Sequence, residues 1–390
     1  MSEKYMYLKE NELHHARKIH FNLSDLTSLL FLICMNLNYL LGLSQLNIGG
    51  KSVMAEYLFA AAGIAFVIFH SITKRGYHYS VLEFIAIAFA LSMGFFSLMR
   101  SGAMTFLKLI LFWLGCRGVE DKKLLKYEAW SLIISAGFIV ATSIIGITSM
   151  RYWGNNAVFS FGFKNPNNLP SIITAILFAY CLSRDEPLTI KSILFQILIT
   201  LIMYRSTGSR SALMVLLMFY VLLLICRIPL ARRFFESALR FLPCLYIFLS
   251  AVSYYVGRAY VHSNVNWLRL NYLLSWRPYL WNKYASTTGL TLFGNRLEEM
   301  GTLDNAYLVL LLRYGLIVFF VYVLMFSNIS KMAYRKIDLP LGLAIICYEA
   351  YFMFEFTPIL VNINPLLLIG ISMISLKNIG QNETVQRQQA

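Results

Sequence analysis

The sequence predicts an all-α integral membrane protein with about twelve transmembrane helices in one polytopic domain spanning residues 1–390. Three observations carry this. Hydrophobic residues make up 58% of the chain and charged residues 14%, where soluble domains carry roughly 25% charge. Apolar runs near twenty residues recur, long enough as helices to cross a hydrocarbon core of about 30 Å. Basic residues alternate between crowded and sparse intervening segments, the pattern that orients membrane proteins.

Segment 1–23 is polar, with His14, His15, Arg17 and Lys18. No small-residue cleavage site closes the first apolar run, so a cleaved signal peptide is not expected. The spans are expected at 24–46, 53–70, 81–99, 103–117, 128–149, 168–183, 190–204, 211–226, 241–256, 304–327, 339–356 and 358–376. Those at 103–117, 168–183 and 190–204 are short and call for tilt or snorkelling. Glu83 and Lys108 are expected to pair across the third and fourth spans. Segment 150–167, rich in Gly, Asn and aromatics, reads as an outer turn-rich loop. In the hairpin 204–212, Gly208 suits the turn and Ser209 or Ser211 is a candidate cap for the next helix. The basic, amphipathic loop 227–240 reads as an inner anchor against anionic lipid. The tail 377–390 is polar and cytoplasmic.

All six cysteines fall in spans or at their inner ends, without zinc spacing, and read as small apolar residues. The net charge of +15 is mostly topological rather than a nucleic-acid signature. With the N-terminus inside, inner segments hold about 21 Lys and Arg and outer ones about 11. Both termini are thereby expected in the cytoplasm.

About five of those outer cations lie in one long loop, 257–303: Arg258, Arg269, Arg277, Lys283 and Arg296, interleaved with Trp267, Trp276, Tyr279 and Trp281. Within it, 263–276 places Trp267, Leu270 and Leu274 on one face of a surface-lying helix. Ser275 is expected to cap a second short helix, with Pro278 in its first turn and Arg277 at its anion-favouring start. Arginine offers phosphate a rigid fork of donors and is always charged. Arg277 and Arg210 are the first candidates for an anionic group such as a lipid diphosphate, with Arg205, Arg258 and Arg269 behind them. Trp276, Trp281 and Tyr279 are candidates for stacking on sugar rings, as well as for an interfacial belt. Acid–base candidates on this side are Glu298, Glu299, Asp304 and Glu355; Asp304, at the start of a span, comes first and Glu355, a charge at span depth, second. Asp304 also reads as a plain N-cap, and a helix dipole would weaken it as a base. His262 reads as a solvated loop histidine. No phosphate-binding glycine loop, zinc motif or carboxylate cluster asks for a metal, nucleotide or other cofactor.

Several motifs occur in order: FGFKNPNNLP at 161–170, TGSRSALM at 207–214, SWRPYLW at 275–281, LFGN at 292–295 and DNAYLVLLLRYGLIVFF at 304–320. The series, covering about 150–376, resembles the O-antigen polymerase and ligase superfamily, in particular the Wzy-type polymerases of capsule and exopolysaccharide loci. The resemblance implies a GT-C-like membrane fold and a metal-independent, inverting glycosyltransferase of the plasma membrane. It implies transfer of a growing glycan from undecaprenyl diphosphate to a second lipid-linked repeat unit, with a flippase and a chain-length regulator as companions. It implies diphosphate contact for Arg210 and Arg277. Ligases of the superfamily carry a histidine just before the span that Asp304 opens here, so Asp304-Asn305 is closer to the polymerase pattern. A ligase and a flippase or secondary transporter stand as alternatives. A transporter would be expected to show repeated halves, which this chain does not.

Overall fold

The computed structural model describes residues 23–46, 53–73, 81–152, 155–297 and 303–373. The N-terminal segment 1–22, Glu298, Glu299 and the tail 377–390 lie outside them. Helices dominate: α1 (Leu23–Leu43), α2 (Val53–Thr73), α3 (Val81–Ser101), α4 (Thr105–Gly115) and α5 (Asp121–Ile144) form the first half. Then come α6 (Asn168–Leu182), α7 (Ile190–Thr207), α8 (Arg210–Ile225), α9 (Pro229–Ala238) and α10 (Leu242–Ala259). The short α11 (Val265–Leu273) and α12 (Arg277–Thr287) precede α13 (Gly315–Lys336), α14 (Leu339–Phe352) and a last helix, α15, over 365–373. Among the described residues, seven helical stretches are long and apolar enough to cross a membrane, and four shorter apolar helices accompany them. The chain is thus a helical, multi-pass membrane protein.

Several expected elements differ. The fifth span is α5, starting at Asp121 and ending at Ile144 rather than running over 128–149. Its first turn is polar, because the helix extends beyond the apolar run. The last span does not open as a helix: Thr357–Ile359 and Val361–Ile363 are 3-10 turns, and regular helix starts at 365. Segment 150–167 contains an antiparallel hairpin, β1 (Arg151–Tyr152) with β2 (Asn155–Phe159). It is tied to the end of α1, where the Gln45 side chain bonds the Phe163 carbonyl and the Ser149 amide. Glu83 pairs with Arg117, at 2.6 Å, and not with Lys108. Neighbouring helices run antiparallel, so the first turn of α3 opposes the far end of α4. Lys108 instead reaches the Asn38 side chain at 3.3 Å. The described cysteines are free, and Cys244 is exposed rather than buried.

The stretch expected as the tenth span is interrupted. Ala306–Leu308 is a single α-turn, Val309–Tyr314 is a π-helical stretch, and α13 starts only at Gly315, with φ +87°. The freed backbone groups are taken up by 289–295. Asn295 donates its amide to the Arg313 carbonyl and its side chain to the Leu312 carbonyl. The amides of Leu316 and Ile317 donate to the carbonyls of Thr291 and Leu292. Irregular backbone at membrane depth survives only where protein satisfies it. A Cβ at Gly294 would collide with the Arg313 carbonyl, and one at Gly315 with the Gly294 amide. The LFGN and RYGL motifs are therefore two halves of one backbone clasp. Beneath it, Tyr246, Tyr307, Phe326 and Phe352 stack into a buried aromatic core.

Candidate functional site

Arg277 opens α12 after two residues in the left-handed region, Ser275 at φ +55° and Trp276 at φ +65°. That conformation is costly for residues with a Cβ and here is held by Asn271, which is fully buried. The Asn271 carbonyl accepts the Trp276 amide at 2.8 Å, and its side-chain oxygen accepts the Tyr279 amide at 3.0 Å. Ser275 is therefore not the cap: Trp276 occupies that position and no side chain caps the helix. Pro278 sits in the first turn as expected, and α12 buries Pro278, Trp281, Tyr284 and Ala285.

The guanidinium so presented meets the connection after α14. Arg277 Nη2 lies 3.9 Å from Glu355 Oε1, and the guanidinium sits 5.7 Å over the Phe354 ring. Arg277 Nε is buried without a hydrogen-bond partner among the described residues. Glu355 Oε1 also accepts the Ser211 hydroxyl at 2.5 Å. Ser211 belongs to the first turn of α8, just past the hairpin whose Gly208 adopts φ +71°. Ser209 occupies the N-cap position of that helix, as one of the two expected candidates, but its side chain makes no capping hydrogen bond.

Asp304 completes the group. The N-cap of the following turn is Asn305, whose side chain accepts the Leu308 amide at 3.0 Å. Asp304 is thus relieved of the capping role. Asn305 also donates to Ser253 at 3.1 Å and to the Met353 carbonyl at 3.3 Å, which pins Asp304 beside the 353–355 turn. Burial raises the Asp304 carboxyl above its ordinary range, and Arg277 pulls it partly back. The net rise is opposite to the helix-dipole effect expected for a span start. Glu355, outside the helices and buried, is pushed up to about 7 by desolvation; the Ser211 bond and Arg277 lower it, and Asp304 raises it. The site therefore brings two carboxyls, both raised by burial, beside one guanidinium that draws both back down. Nearby, Tyr351 and Thr357 converge on the Ser171 hydroxyl and brace the turn against α6.

The other candidates are spread out. Arg210 and Arg205 are exposed on either side of the hairpin turn. Arg210 neighbours Ser211 in sequence, and no contact joins it to Arg277 among the described residues. Arg258 donates to the Ala285 carbonyl at 2.9 Å, so it braces α10 against α12. Arg269 is exposed on α11. Trp276 is 43% exposed and packs edge-on to Tyr272. Tyr279, 44% exposed, joins Tyr260 and His262 in an aromatic group, and Tyr260 bonds His262 at 3.1 Å. Trp281 is only 1% exposed and is not available to a sugar. An amphipathic ring suits an interface or a core equally, and α12 packs on α10 across Gly257. On α11 the half-buried Trp267 and Leu270, with the C-cap residue Leu274, turn toward the protein, whereas Val265, Tyr272 and Leu273 face out.

Sequence reasoning overlooked Ser211, Asn271, Phe354 and Asn305. Ser211 stood inside a recognised motif but was read as a cap. Asn271 lies within 263–276, the segment that reads as a surface helix, away from its apolar face. Among the described residues, no three His, Cys, Asp or Glu side chains cluster as a metal site would need. No family model, curated protein or solved structure matches the chain.

Proposed function

We propose that the protein polymerises lipid-diphosphate-linked oligosaccharide repeat units at the outer face of the plasma membrane, as a GT-C-type glycosyltransferase. The observation that carries the reading is the meeting of Arg277, Asp304 and Glu355 at one end of the bundle, from three separate segments. A glycosyl transfer of this kind needs a base for the attacking hydroxyl and a cation for the departing diphosphate. Two carboxyls raised above their ordinary range beside one fixed guanidinium supply both.

In this mechanism the acceptor sugar hydroxyl attacks the anomeric carbon of the lipid-linked donor. A carbon–oxygen bond forms to the acceptor as the one to the diphosphate breaks, with inversion. The hydroxyl proton passes to Asp304 or Glu355. The electron pair leaves with the undecaprenyl diphosphate, whose charge Arg277 meets, with exposed Arg210 closing on the same group. The buried, unpartnered Arg277 Nε offers one more donor in that direction. Trp276 and Tyr279, both half-exposed, are placed to stack on the glycan. Both termini are cytoplasmic in this reading, and a flippase and chain-length regulator act alongside.

The test is reconstitution. Purified protein given an undecaprenyl-diphosphate-linked repeat unit builds a glycan ladder on a gel, and Arg277→Ala abolishes the ladder while the protein stays folded. A ladder of normal length from Arg277→Ala would overturn the assignment.

A further inference from the structure

The opposite end of the bundle holds a cavity of about 780 Å³. The two ends are fixed by the helices they share. Asp338 and Leu339 line the cavity at one end of α14, and Glu355 follows the other. That helix has 14 residues and spans roughly 21 Å. α8 likewise runs from Ser211 at the candidate site to Cys226 at the cavity, and α6 from Ser171 to Leu182. The charge bias assigns this end to the cytoplasmic side.

Its lining has two parts. Lys122, Arg184, Arg227, Arg232 and Lys336 supply cations. Leu182, Phe219 and Leu223 supply apolar wall. The acids present are Asp185, Glu186 and Asp338. Asp185 is taken by Lys122 at 2.6 Å, and Asp338 accepts the Leu341 amide at 3.1 Å. Arg232 pairs with Glu236, and Arg227 bonds the Leu188 carbonyl. Two cations remain uncommitted. Lys336 is exposed and makes no ion pair among the described residues. Arg184 spends one nitrogen on the Tyr180 hydroxyl at 2.8 Å, while its Nε is buried without a hydrogen-bond partner. A buried donor left open calls for an acceptor.

The rim indicates which acceptor. Pro229 and Arg232 of α9 line the cavity, while Leu230 and Phe234 of the same helix are 80% and 68% exposed. A short helix with a cationic face and an unburied apolar face lies in the membrane interface. The cavity therefore opens where lipid headgroups are, with apolar wall for the start of an acyl chain. Its volume is in the range of roughly 300–1,000 Å³ typical of small-molecule sites. We propose that this cavity binds the phosphate headgroup of an anionic phospholipid, with Arg184 and Lys336 as its contacts.

The full-length protein in nanodiscs of phosphatidylcholine, with or without phosphatidylglycerol, provides the test, read as retained lipid by native mass spectrometry. Phosphatidylglycerol is retained in preference to phosphatidylcholine. Arg184→Gln and Lys336→Gln each weaken that preference about tenfold, the size of one charge-assisted contact. Lys331→Gln, an equal loss of charge at an exposed position outside both the cavity and α9, leaves it unchanged. Equal retention of both lipids, or an equal loss in Lys331→Gln, would overturn the proposal. Inorganic pyrophosphate is the probe for a soluble source: saturable pyrophosphate binding that the cavity variants lose, without phosphatidylglycerol preference, would also overturn it. Lys336 is exposed, so that variant folds, and a thermal midpoint equal to wild type verifies it. The readout is independent of chain extension.

Discussion

Two short basic helices stand outside the long ones, and they differ in what lies beneath them. α12 buries Pro278, Trp281, Tyr284 and Ala285 against the bundle. α9, ten residues long with Arg232 and Arg233 side by side, buries none of its side chains. Both segments attract attention in the sequence for the same reason, cations beside aromatics. Packing separates them. An arginine on a helix that is anchored in a core has one position, and Arg277 is held within 3.9 Å of a particular carboxylate. An arginine on a helix that buries no side chain, such as the exposed Arg233, has no ion pair among the described residues to fix it. Preorganisation, more than charge, makes a catalytic cation.

The comparison breaks most completely if α12 loses its anchor. Trp281→Ala removes the largest fully buried side chain and costs about 3–5 kcal/mol. A large fall in thermal midpoint, together with loss of chain extension, is the expected outcome. Next is Arg277→Ala, which removes the fixed cation and leaves the fold. Chain extension falls by about two to three orders of magnitude in a reconstituted assay, as for loss of one preorganised donor. Arg277→Lys recovers only part of it, because the planar fork is gone.

The Glu355→Gln variant sharpens the electrostatic side. In the wild type this carboxyl is pushed up from 4.5 to about 7. Its raised value favours the protonated, folded form, so this contribution to stability is full below pH 4.5 and lost as pH rises through about 7. If Glu355 is the base, activity moves the other way and rises as pH passes 7. The Gln variant removes both dependences, and a pH–rate profile unchanged in shape would assign the base to Asp304. The smallest effect belongs to α9. Arg233→Gln changes thermal midpoint by no more than about 0.5 kcal/mol equivalent and leaves the ladder intact. A loss there comparable to that of Arg277→Ala would erase the contrast between the two helices.

Much of this was legible in the chain, and the remainder was hidden for physical reasons. Apolar length pointed to a helical membrane protein, and seven of the described helical stretches are long and apolar enough to cross, because the backbone must satisfy itself within hydrocarbon. A proline after Arg277 marked a helix start, and it is one. The cap was misread because the left-handed turn at Ser275 and Trp276 is imposed by Asn271, a tertiary clamp that no local propensity encodes. Trp281 and Trp276 look alike in sequence, five residues apart, yet one is core and the other is half-exposed. Glu83 found Arg117 instead of Lys108 because antiparallel packing, not proximity along the chain, decides which turns face each other. The break at Val309–Tyr314 was invisible because it depends on residues 292–295, some twenty positions upstream.

That break has a further consequence. Gly294 and Gly315 touch, so the chain between them forms a closed ring with Asp304 on its circumference. Asn305 fastens the ring at a second point, to the 353–355 turn. The carboxyl of Asp304 therefore sits between two fixed points of the backbone, the Gly294–Gly315 contact and the Asn305 bond, so a side chain added at either glycine would be felt at that carboxyl.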